Sequence, residues 1–174
     1  PNLILKGEGF SGKTHLLNIF SNKYAFKIYS CEEVKSVDIS ELFSSCGKFL
    51  AIDDVDNLHD DNLLFHIYNT ALENGVFLLL GLKDVDVFEL RDLVSRLRNV
   101  IRAQIKSPDT DMIKILLSKG FSKRQLKIDA KIVDYLALNV ARKYAEVEKV
   151  IGKIEEFAFQ NKKKVALADI KEMM

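Results

Sequence analysis

The chemistry of this chain concentrates at residues 7–14, which read Gly7-Glu8-Gly9-Phe10-Ser11-Gly12-Lys13-Thr14. This is a G-x-x-x-x-G-K-[ST] pattern, whose glycines let successive backbone N–H groups turn inward around a polyphosphate without Cβ interference. Lys13 is expected to reach the β- and γ-phosphates of ADP or ATP, and the Thr14 hydroxyl to sit on Mg²⁺. A helix starting at Lys13 would add the partial positive charge of its N-terminus to the same anion site. The expected contact set therefore runs through residues 7–15, with His15 as its last member. The blander alternative is a glycine-rich turn that holds nothing.

A second group of residues has the matching chemistry. Residues 49–52, Phe-Leu-Ala-Ile, form an apolar run that delivers Asp53 and Asp54 at its carboxyl end. Open parallel sheets place their ligands at those ends. Asp53 is the expected Mg²⁺ partner, and Asp54 is placed to orient or activate an attacking water. A plain helix-capping role for Asp54 is the competing explanation.

These side chains work only if strands and helices alternate around them. Residues 2–6 read as a buried strand, and residues 13–21 as a helix with Leu16, Leu17 and Phe20 inward. Residues 24–29, rich in aromatic and apolar side chains, read as a second strand, and residues 40–45 as a short helix ended near Gly47. Asp60 and Asp61 can cap a helix to about Asn74, with Leu64, Ile67, Ala71 and Leu72 on its apolar face and Gly75 ending it. Residues 76–80 are apolar throughout, as a strand covered on both faces should be. A helix over residues 90–98 and an edge-type strand over residues 101–105 complete an α/β pattern with right-handed crossovers. The extra strand between loop and Asp-Asp pair places the chain with NTPases of the additional-strand type.

Pro108 marks a boundary. Beyond it the pattern is helical: residues 109–118, a break at Gly120, then 129–140, 144–160 and 167 onward. The expected domains are an α/β unit over 1–106 and a small all-α unit over 107–174. Gln125-Leu126-Lys127-Ile128 resembles a clamp-binding peptide only superficially, because it leads straight into a helix, and Ile128 is expected in the core. The Lys162-Lys163-Lys164 run is expected to be a solvated loop.

Composition narrows the classes further. Nearly half of the 174 residues are hydrophobic, so a substantial core is available. No apolar run approaches the roughly 20 residues of a membrane span, and no signal peptide is recognisable. The net charge of +1 hides an asymmetry, with 11 Lys and Arg against 15 Asp and Glu in residues 1–105 but 15 against 10 in residues 106–174. A solvated helical surface explains that split as well as an acidic partner does. Cys31 and Cys46 form no C-x-x-C and suit a reducing cytoplasm as packing residues. The chain opens on Pro1 rather than Met, immediately ahead of the loop strand, as a fragment would.

The run Gly7 to Leu17 with its Gly-Lys-Thr-His-Leu-Leu core, the run Phe49-Leu50-Ala51-Ile52-Asp53-Asp54-Val55, and Ser95-Arg96-Leu97 together resemble the DnaA/Hda-type AAA+ family. The resemblance covers essentially the whole chain, and residues 128–160 follow the layout of the family's lid helices. It implies a P-loop NTPase with a five-stranded parallel sheet flanked by helices, a helical lid, and nucleotide held between them. It also implies that Arg96 is an arginine finger acting in trans on a partner's nucleotide. A surface arginine on an amphipathic helix is the alternative, since Arg91, Arg98 and Arg102 lie nearby. Within the family, two features favour the Hda-like regulator over the initiator, an end at Met174 without a helix-turn-helix domain and a short segment over residues 30–48, and the stretch Phe65-His66-Ile67-Tyr68-Asn69 through Asn74-Gly75 resembles Hda in particular. The implied partners are DnaA and, through a segment upstream of Pro1, the sliding clamp, with a homo-oligomer open. No sequence-specific DNA contact and no membrane are expected.

Departures from the family pattern bear on turnover. The polar sensor at the end of the fourth strand falls on Leu80-Gly81, where Leu80 has no group to position a water. The lid arginine falls on Ala145, and Arg142 lies about one turn away. The expectation is a site that binds nucleotide and hydrolyses it poorly alone. Two functions follow: a replication regulator that promotes hydrolysis on DnaA, or a self-sufficient ATPase such as a helicase loader. A degenerate scaffold is disfavoured by the intact Lys13, Thr14, Asp53 and Asp54.

Overall fold

Alternating strands and helices fold the first part of the chain into a parallel sheet, and the remainder into a helical unit. The computed structural model describes residues 2–161 and 165–173, so the Lys162-Lys163-Lys164 run lies outside the described residues. Two compact units meet at the Lys106/Ser107 peptide.

In the first unit, β1 (Leu3–Lys6), β2 (Ile28–Tyr29), β3 (Phe49–Ile52), β4 (Phe77–Leu82) and β5 (Ile101–Gln104) form a sheet of order β2-β3-β4-β1-β5. Every pairing is parallel, with Leu3 opposite both Leu79 and Ile101 and Ile52 opposite Leu80. Strand alternation sorts the side chains by face. Leu5, Ala51 and Leu79 pack with Leu17 of α1 (Lys13–Tyr24), while Ile4, Leu50, Ile52, Leu78, Leu80 and Leu82 join the larger core on the other side. That core is closed by α2 (Cys31–Ser36), α3 (Ile39–Ser45), α4 (Asp61–Glu73) and α5 (Arg91–Arg98).

Several boundaries differ from the sequence expectation. The helix α1 continues to Tyr24 and ends through Ala25 in the left-handed region, φ 54°, so β2 is only two residues long. The unforeseen α2 starts from a capping box, in which Ser30 and Glu33 satisfy each other's backbone amides. Leu72 is 49% exposed, because the stripe of α4 that faces the core is Leu64, Ile67, Tyr68 and Ala71. The strand β4 runs two residues further than its apolar core, to Leu82, and β5 lies at the sheet edge.

The second unit contains α6 (Thr110–Lys123), α7 (Ala130–Asn139), α8 (Tyr144–Asn161) and α9 (Leu167–Met173). Ile113, Leu117, Phe121, Leu136, Val147, Ile151 and Ile170 are among its buried side chains, and Ile128 packs against them half-buried. Gly120 does not break α6. A Cβ there would press on Ile151 Cδ1, so the glycine serves close packing of α6 on α8 rather than termination.

Candidate nucleotide site

At the carboxyl end of β1, Gly7 N donates to Leu82 O at 3.1 Å and turns the chain out of the sheet. Ser11 N closes the loop on Glu8 O at 3.3 Å. Phe10 and Gly12 have φ of 63° and 91°, left-handed values that turn peptide groups inward. Gly7 must lack a side chain, since a Cβ would lie 2.5 Å from Ser11 Oγ, itself a buried oxygen without a partner. The Glu8, Phe10 and His15 side chains are exposed. Gly12 is the N-cap of α1 and brings no side-chain acceptor, so the amides of Lys13, Thr14 and His15 in the first turn are left for an anion.

Lys13 is 4% exposed, and burying an ammonium is costly unless it is paired. Its Nζ donates to Gly7 O at 3.1 Å and Glu8 O at 3.2 Å, and lies 3.6 Å from Asp54 Oδ1. The charge is therefore already inside the loop. Asp54 precedes a 3-10 turn, Val55–Asn57, but its side chain caps nothing there, which removes the capping explanation. Its backbone is left-handed, φ 48°, with Asp54 O accepting from Asn57 N at 2.9 Å and from the Cys31 thiol at 3.3 Å. Burial pushes the Cys31 thiol pKa up, so it stays a neutral donor.

Asp53 joins the two halves. Its Oδ2 accepts from Thr14 Oγ1, and its Oδ1 accepts from Asp54 N at 2.9 Å. Hydroxyl and carboxylate oxygens brought together beside a phosphate loop suit Mg²⁺, which takes one or two protein oxygens and completes its shell with phosphate and water. The donor set is therefore of the right kind, and among the described residues no cluster of three His, Cys, Asp or Glu competes for a metal.

Leu80 and Gly81, the pair expected at the sensor position, fall on opposite faces of β4. Leu80 points into the larger core and is 1% exposed there. Gly81 is the residue beside Asp53, where a Cβ would fall far inside van der Waals contact with Asp53 Oδ1. The strand therefore offers bare backbone beside Asp53. In the second unit, Ala145 is exposed on the first turn of α8, and Arg142 lies in the turn before that helix rather than on it.

Arg96 is exposed on α5, yet it is held. Its Nη1 donates to Asn69 Oδ1 at 2.6 Å, and the guanidinium sits 4.9 Å from the Phe65 ring centre, both on α4. Beyond α5 the chain enters β5 at Ile101, beside Leu3. Arg96 thus lies toward the edge where the strands begin, whereas the phosphate loop leaves β1 after Lys6.

Sequence reasoning also missed the ties that hold the loop after β4. The Asp56 carboxylate accepts from Lys83 N at 2.9 Å, Asp61 Oδ2 accepts from Glu89 N and Leu90 N at 2.6 and 2.8 Å, and Lys6 Nζ donates to Asp84 Oδ2 at 2.7 Å. The repeated Asp-Val-Asp at residues 54–56 and 84–86, each opening a 3-10 turn, was the available signal.

No family model matches the chain. Curated relatives are chromosomal replication initiator proteins DnaA. That of Flavobacterium psychrophilum is 28% identical over 100% of this chain and 41% of its own length. The Clavibacter sepedonicus protein is 25% identical over 95% and 40%. The chain thus spans about two fifths of the length of these relatives. Among solved structures, domain III of the Thermotoga maritima replication initiation protein DnaA superposes with a TM-score of 0.72 at 21% identity, covering 97% of this chain and 80% of that one. A mutant of Thermotoga maritima RuvB gives 0.72 at 15%, covering 99% and 61%. A replication initiator DnaA bound to AMPPCP and single-stranded DNA gives 0.62 at 21%, covering 92% and 58%. Sheet order and helical second unit agree with these structures: the chain has the fold of DnaA domain III and is similar in sequence to DnaA proteins.

Proposed function

We propose that this chain binds ADP or ATP with Mg²⁺ through residues 7–15 and Asp53, and acts in the cytoplasm as an Hda-like regulator of replication initiation that stimulates hydrolysis on ATP-loaded DnaA. In this reading Lys13 and the first-turn amides hold the phosphates, while Thr14 and Asp53 hold the metal. When bound, Mg²⁺ neutralises phosphate charge. Asp54 stands beside Lys13, where it can accept a hydrogen bond from water.

One observation carries the regulatory role. Arg96 is exposed but oriented by Asn69 and Phe65, at the end of the sheet away from its own phosphate loop. A rigid, planar cation presented outward suits head-to-tail packing, in which one protein completes its neighbour's site. Supplied in trans, such an arginine is worth roughly 10³ to 10⁵ in rate.

The test mixes full-length protein with ATP-loaded DnaA and clamp on DNA, and measures phosphate release. Arg96→Ala should keep nucleotide binding and lose the stimulation, whereas Arg91→Ala should matter less. Equal stimulation by Arg96→Ala sinks the trans-acting role. The self-sufficient ATPase draws support from Asp54, whose carboxylate is not spent on a cap; fast turnover without DnaA would favour it.

A further inference from the structure

We infer that Gly81 is a positioning residue: its missing side chain lets the Asp53 carboxylate stay engaged with Thr14 and Asp54. The inference rests on the nucleotide and metal reading above. Ladder continuity from the Ile52–Leu80 pair sets Gly81 beside Asp53, on the face occupied by Leu79 and Leu17. Its φ is not in the left-handed region, so backbone conformation does not demand glycine there. Space does. A Cβ on residue 81 would overlap Asp53 Oδ1 and approach Leu17 Cδ1 to 3.2 Å. Of these, the carboxylate oxygen is the freer to move, being the tip of a side chain at the sheet's end.

Rotation of that carboxylate has a defined chemical consequence. Oδ1 would leave Asp54 N, its present partner at 2.9 Å, and Oδ2 would swing off Thr14 Oγ1. Both oxygens that fit a hard cation would then point elsewhere, while Lys13 and the loop amides stay in place. Glycine therefore serves the metal half of the site and leaves the phosphate half alone.

The experiment is calorimetry of full-length protein with AMPPCP, with Mg²⁺ and with EDTA, across a double-mutant cycle of Gly81→Ala and Asp53→Ala. Wild type should bind more tightly with Mg²⁺, and Gly81→Ala should shrink that Mg²⁺ advantage by about tenfold or more, as outer-shell changes do. Its affinity in EDTA and its thermal midpoint should stay close to wild type. In the Asp53→Ala background, Gly81→Ala should change nothing further. If Gly81→Ala does not fold alone, rescue of folding by Asp53→Ala supports the coupling, and no rescue overturns it. A full Mg²⁺ advantage in Gly81→Ala overturns the inference while leaving the nucleotide reading intact. Equal losses in both backgrounds overturn it too, by making Gly81 a packing residue. Absence of AMPPCP binding by wild type removes the reading and the inference together.

Discussion

Arg96 donates from Nη1 to Asn69 Oδ1 at 2.6 Å, so the candidate finger on α5 takes its direction from α4. The guanidinium also lies over the Phe65 ring, 4.9 Å from its centre, which restrains it further. Asn69→Ala should leave the cation but loosen its aim, lowering stimulation of a partner's hydrolysis by up to about 100-fold, as small misplacements do. Arg96→Lys should resemble Arg96→Ala more than wild type, because an ammonium has neither the plane nor the fork. Phosphate release from ATP-loaded DnaA measures both. Full activity of Arg96→Lys would show that charge alone suffices.

Lys13→Ala should weaken nucleotide binding markedly, because it removes a charge-assisted contact from a buried, already placed ammonium. Calorimetry on full-length protein reads this directly. Matching affinities for wild type and variant would contradict the phosphate-loop role.

Intrinsic hydrolysis should be slow. The residue beside Asp53 is Gly81, which has no side chain to aim a water, and Ala145 stands where the family resemblance implies a lid arginine. Each absent electrostatic contact costs roughly 3 kcal/mol of barrier. Purified protein should turn over well below the roughly 1–100 s⁻¹ typical of kinases. A rate within that range would rule the expectation out.

Lys6 and Asp84 predict a pH effect on stability. The hydrogen bond from Lys6 holds the Asp84 carboxyl below the usual aspartate range. Such a carboxylate stabilises the fold above its unfolded pKa, near 3.9, and that contribution is lost as pH falls through the depressed folded value. Lys6→Met should therefore flatten the acid limb of the stability curve below about pH 4. The effect should be small, since the two side chains are 27% and 44% exposed. Parallel urea titrations across that range check it; an unchanged slope would show that the pair contributes nothing.

Gly120→Ala should destabilise the helical unit, with overpacking against Ile151 costing about 1–3 kcal/mol. Alanine returns about 1 kcal/mol of helix propensity. In an Ile151→Val background, which removes Cδ1, the sign should reverse and Gly120→Ala should stabilise. Chemical unfolding of the four proteins decides the matter.

Local patterns made much of this legible. A glycine loop needs a strand before it and a helix after it, and β1 and α1 stand where residues 2–6 and 13–21 were expected. Asp60 caps α4 through Leu63 N at 2.9 Å and Gly75 takes the left-handed φ of 66°, as their types and places foretold. The misreadings share a cause. Gly120 looks like a helix stop in sequence, where a neighbour 31 positions away cannot be seen. Tyr24 has the residue type of a strand but finishes a helix, because the turn at Ala25 arrives later than the aromatic run begins.

Residue type and spacing alone determined the phosphate loop, the carboxylates at the end of an apolar strand, and the change to helices after Pro108. Each depends on contacts within a turn or a strand, which adjacent residues encode. Only the tertiary structure decided that Gly81 rather than Leu80 stands beside Asp53, that Asp54 faces Lys13 rather than a helix end, and that Asn69 aims Arg96. Those relationships are between strands and helices far apart in the chain. A one-residue change of register would turn a strand's side chains to the other face, so pairing in three dimensions must be known before a side chain can be given a neighbour.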